Sequence, residues 1–131
     1  MKVTAFEVAS RYVYPSLRRR LVEILYKEHK LSQVKVAELL HITQPAVSRY
    51  LKMDRGALVD VKKFKDIDEK LKELAKKVLE ENLNEYEIHS ELVRISLEML
   101  GKGYICSFHE KIDKEIDPKK CNICISLFEK F

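Results

Sequence analysis

The stretch Ser32 to Lys52, SQVKVAELLHITQPAVSRYLK, limits what this chain can fold into more than any other. It reads as two short helices joined by a tight turn. Val36, Leu40, Ile42, Val47 and Tyr50, with small Ala37 and Ala46, fall where two steeply crossing helices need apolar side chains to close a small core. Thr43 stands at an N-cap position, its hydroxyl placed to satisfy an orphan backbone N–H. Pro45 follows in the first turn, where a missing N–H costs little. The second helix then turns Gln44, Ser48, Arg49 and Lys52 outward, donor and acceptor types that reach base edges and phosphates from a helix lying in a major groove.

These residues carry a resemblance. SQ at 32–33, VAELL at 36–40, TQPAVSRYL at 43–51 and DRG at 54–56 make the segment from Pro15 to Gly56 similar to the archaeal branch of the lambda-repressor-like, or XRE-type, helix-turn-helix transcriptional regulators. The resemblance implies an all-α protein that binds double-stranded DNA sequence-specifically through an N-terminal helix-turn-helix domain, with Thr43 heading the recognition helix. On this reading Gln44 and Arg49 read bases, Ser48 meets base or phosphate, and Arg18, Arg19, Lys52 and Arg55 hold the backbone. The chain departs from the family at His41, which occupies the turn position usually held by glycine. A histidine reaches a left-handed conformation only at some cost, so a turn of different shape is expected.

Charge placement agrees with that reading. Residues 1–64 hold 13 Lys and Arg against 6 Asp and Glu, and residues 65–131 hold 12 against 15, so the basic half contains the two-helix motif. Cations beside a phosphate backbone release condensed counterions on binding, which gives attraction for DNA of any sequence. With 131 residues, 46% of them hydrophobic, the chain has room for one domain, or one small domain and an appendage. No apolar run approaches the roughly 20 residues that span a bilayer. The start, MKVTAFEVASRYVYP, lacks a signal peptide's apolar stretch, so a cytoplasmic location without membrane contact is expected.

Along the chain, Thr4 and Glu7 have the spacing of a capping box, and Phe6, Ala9 and Val13 repeat at helical intervals. The pattern predicts a helix over 4–14 that Pro15 ends. A second helix over 16–29 buries Leu17, Leu21, Ile24 and Leu25 and carries Arg18, Arg19 and Arg20 in its first turn, where cations oppose the helix dipole unless a phosphate binds there. Gly56 is placed to end the recognition helix in a left-handed cap, and a division near residue 60 separates residues 1–60 from a helical region, 61–131. There Ile67, Leu71, Leu74 and Val78 predict a helix over 65–81, and Ile88, Leu92, Ile95 and Met99 another over 84–100. Val93, Leu97 and Leu100 widen the apolar face of the latter, which predicts burial on two sides, by the rest of the chain or by a second copy in a homodimer. Two recognition helices reading paired half-sites favour the homodimer.

After Gly101-Lys102-Gly103 comes a second constellation: Cys106, His109, Cys121 and Cys124, spaced C-x2-H, eleven residues, C-x2-C. All three cysteines of the chain belong to it. Two chelating pairs brought together across a loop set three thiolates and an imidazole about one metal centre, either zinc or an iron-sulfur cluster. A disulfide between Cys121 and Cys124 would leave Cys106 unmatched and would be reduced in an ordinary cytosol. The same arrangement resembles the C-terminal cluster of some archaeal helix-turn-helix regulators, here YICSFH at 104–109 and CNIC at 121–124, and it admits an alternative in which the cluster is a redox or metal sensor. An enzyme is not expected. Three glycines, none in a phosphate-cradling loop, and no paired acid/base carboxylates leave a Cys106–His109 nucleophile and base without supporting machinery.

Overall fold

The structure, a computed structural model, describes residues 1–53 and 58–131, and every regular element among them is helical. The Gly56 cap and the Arg55 contact predicted above lie outside the described residues. Helices α1 (Ala5–Val8) and α2 (Tyr14–Glu23) join two π-helical segments, Ala9–Val13 and Ile24–Glu28, in one unbroken column. Thr4 and Glu7 form the expected capping box at its head.

Pro15 does not end this helix, contrary to the sequence expectation. A proline in a helix lacks one N–H and its ring crowds the carbonyl four residues back. Here the turn before it is already widened, with the Tyr14 N–H bonded to the Ala9 carbonyl, so the ladder has slipped by a residue where the ring enters. Buried Ser16 completes the repair: its hydroxyl donates to the Tyr12 carbonyl and accepts the Val59 N–H at 3.0 Å. The three arginines consequently sit inside a long column rather than in a first turn, and the expected conflict with a helix dipole does not arise.

Helix α4 (Gln44–Lys52) begins at the predicted cap, Thr43 accepting the Ala46 N–H at 3.3 Å, and α3 (Gln33–Leu40) begins at Ser32, which accepts the Lys35 N–H at 3.1 Å. His41, expected to reshape the turn, takes the left-handed conformation after all, with φ of 58°. Its N–H reaches the Glu38 carbonyl and the Ile42 N–H the Ala37 carbonyl, the paired bonds of a Schellman cap. The imidazole Nε2 lies 3.0 Å from the Leu83 carbonyl, a bond that offsets the left-handed cost.

The remaining helices are α5 (Lys65–Glu81), stopped by left-handed Asn82, α6 (Glu85–Gly101), started by an Asn84–Glu87 capping box, α7 (Cys106–Ile112) and α8 (Ile123–Phe128). Helix α6 packs on α2 and α5 and, elsewhere along its surface, on α8. Its broad apolar face is thus covered within the chain, and Leu92 is 1% exposed in the core rather than at a surface. The α6–α8 contact requires Gly101, because a Cβ there would stand 2.1 Å from the Phe128 carbonyl oxygen. Arg20, also buried, ties α2 to α5 through Asp68 at 2.6 Å and bonds Glu23 at 2.8 Å and Glu28 at 3.1 Å. Buried apolar side chains from Val8 to Ile105 form one cluster, with members on both sides of residue 60.

Candidate nucleic-acid interface and cysteine cluster

Helix α4 turns Val47 into the core, which leaves Gln44, Arg49 and Lys52 exposed and Ser48 half-buried. Gln44, the first residue of α4, donates from Nε2 to Oε1 of Gln33, the first residue of α3, at 3.0 Å. That bond fixes the Gln44 amide while leaving it at the surface. Gln33 was not among the residues singled out from sequence, although the SQ pair at 32–33 marks it.

The arginines of α2 divide into three roles. Arg20 is committed to the buried ion pairs. Arg19 donates from Nε to the Tyr50 carbonyl at 3.2 Å and lies 3.9 Å from Glu23, its side chain only 15% exposed. The Tyr50 carbonyl, which also accepts the Met53 N–H at 3.4 Å, lies in the last turn of α4, where a cation complements the helix dipole. Arg19 therefore positions α4. Arg18 lies over the Tyr14 ring, 4.9 Å from its centroid, and donates to the Tyr14 hydroxyl at 3.1 Å and the Tyr50 hydroxyl at 3.4 Å. Its partners among the described residues are phenols, with no carboxylate to neutralise it. Arg18, Arg49 and Lys52 line one open groove together with Pro15, Tyr50 and Met53. Three cations from two helices thus converge along one edge of α4. No family model, curated protein or solved structure matches the chain.

At the other end of the column, Cys106, Cys121 and Cys124 line one small cavity of about 20 Å³, with His109, Val8 and Leu100 also in its wall. Burial pushes the Cys106 thiol up, and the neighbouring Cys121 adds to it; burial and then Cys106 and Cys121 do the same to Cys124. Three thiols so placed repel one another once ionised, a repulsion that a bound cation would offset. His109, buried beside them, has its Nε2 2.6 Å from the Val3 carbonyl. The donor set suits a thiophilic metal ion, and its members share a wall. Among the described residues, however, no three His, Cys, Asp or Glu side chains are placed so that together they could hold a metal ion. Ile123, Ile125 and Leu127 are exposed on α8.

Proposed function

We propose that the protein is a sequence-specific DNA-binding transcriptional regulator in which α3 and α4 are a helix-turn-helix and α4 is the recognition helix. The observation that carries this reading is the outer edge of α4: Gln44 braced by Gln33, and Arg49 and Lys52 sharing one groove with Arg18, whose charge lacks a carboxylate partner among the described residues. Arg49 and Gln44 read base edges, Arg18 and Lys52 meet phosphates, and Arg19 and Thr43 act from behind by fixing the two ends of α4.

The protein acts as a homodimer on paired half-sites, since one recognition helix covers too few base pairs. The dimer contact lies outside the apolar face of α6. Cys106, His109, Cys121 and Cys124 hold a metal centre, and a cavity of about 20 Å³, room for about one water-sized particle, favours a single zinc ion over a cluster. Zinc, when bound, cross-links α7 to α8.

Anisotropy titrations against operator sequences selected from a random pool test the DNA reading. Arg49→Ala should cost about 1–3 kcal/mol on the selected sequence and flatten discrimination among variants. Arg18→Ala should weaken every sequence alike and lower the salt slope by about one unit. Retained sequence preference in the Arg49 variant would show that α4 does not read bases. Sedimentation of the bound and free protein counts the copies.

A further inference from the structure

We propose that the backbone of Lys2 and Val3 is the outer shell of the cysteine–histidine site, and that His109 joins the three thiols through Nδ1. This rests on the metal reading above. A carbonyl oxygen only accepts, so the nitrogen 2.6 Å from the Val3 oxygen carries the proton: the bond is Nε2–H donating to Val3. In the neutral imidazole that metals require, the lone pair is then on Nδ1. Metal-bound histidines commonly have their second ring nitrogen held by a carbonyl or carboxylate in this way, which fixes both tautomer and ring orientation.

The Val3 carbonyl is itself held in place. Asp113, one helical turn beyond His109 and 3% exposed, accepts the Val3 N–H at 2.9 Å and the Lys2 N–H at 2.6 Å on the same oxygen. Its other oxygen takes the Glu115 N–H at 3.1 Å. The end of α7 therefore grips Val3 at both of its backbone groups, the amide through Asp113 and the carbonyl through His109. Only backbone atoms of residues 2 and 3 take part. Asp113 is accordingly a positioning residue for a ligand that it does not touch.

Full-length protein, histidine-labelled with ¹⁵N and loaded with one equivalent of zinc, is examined by long-range ¹H–¹⁵N correlation. The expected spectrum shows His109 protonated on Nε2 and metal-bound on Nδ1. Competition with a chromophoric chelator should show zinc affinity falling about 10- to 100-fold in Asp113→Ala. Asp113→Asn, whose amide oxygen still accepts both N–H groups, should recover part of the loss. Zinc on Nε2, or an unaltered affinity in a folded Asp113→Ala, overturns the inference and leaves the four-ligand reading standing. Wild-type protein that takes up no zinc overturns that reading, and the inference with it. Should Asp113→Ala not fold, the wild-type spectrum decides alone.

Discussion

His41 shows how a residue that departs from pattern is kept. A left-handed non-glycine residue costs about 1–2 kcal/mol, and its bond to the Leu83 carbonyl is worth about 1. His41→Ala keeps the strain and loses the bond, so it should lower stability by about 1 kcal/mol, whereas His41→Gly loses both and should be close to neutral. Urea midpoints of the two variants check this; equal losses would mean that strain at the turn is not what the bond offsets. Arg20 gives a second residue-scale prediction. Burial raises the Glu23 and Asp68 carboxyls, but Lys62 and Arg20 beside Glu23, and Arg20 beside Asp68, outweigh it and hold both below the ordinary carboxylate range. A carboxyl depressed on folding adds stability above its unfolded value of about 4 and loses it as pH falls through the folded value. Arg20→Met should therefore cost about 3–5 kcal/mol at pH 7, and the gap from wild type should narrow below about pH 4. A gap independent of pH would assign the loss to packing instead.

At the level of elements, periodicity located what periodicity governs. The stripes of α5 and α6, the caps at Thr4 and Thr43 and the presence of two short helices within 32–52 follow from apolar spacing and cap chemistry, and Leu17, Leu21, Leu71 and Leu92 are buried as that spacing requires. The π turn before Pro15 had no such signal, because its cause is a slipped backbone bond and a serine hydroxyl braced by Val59, 43 residues away. The same limit hid the work of Arg19: a side chain that reads as a free cation turns out to bond a carbonyl of α4. Gly101, one residue beyond the helix predicted over 84–100, is the last residue of α6 and the seat of α8. Gly101→Ala should push α8 off α6 and open residues 121–131 to protease, with circular dichroism nearly unchanged, since a six-residue helix carries little signal. An undigested tail in that variant would show that α8 shifts without undocking.

For the molecule as a whole, buried apolar side chains on both sides of residue 60 belong to one cluster. Helix α2 touches α4, α5 and α6, and bonds from Tyr14 to His89 and from His41 to Leu83 join the two halves. Such long-range pairings leave no mark on local spacing, which is why the sequence could not show them. A fragment of residues 1–60 loses the cover of α5 and α6 over α2, and it should melt without a cooperative transition in calorimetry; a sharp transition would restore the N-terminal part as an autonomous unit. The grip of α7 on Val3 has a consequence in time. Its partners are separated by 106 to 111 residues, nearly the full chain. At synthesis rates of about 5–20 residues per second, residues 2 and 3 are joined to the chain roughly 5–20 seconds before the residues that will hold them. Residues 2 and 3 are thus made well before they can be fastened.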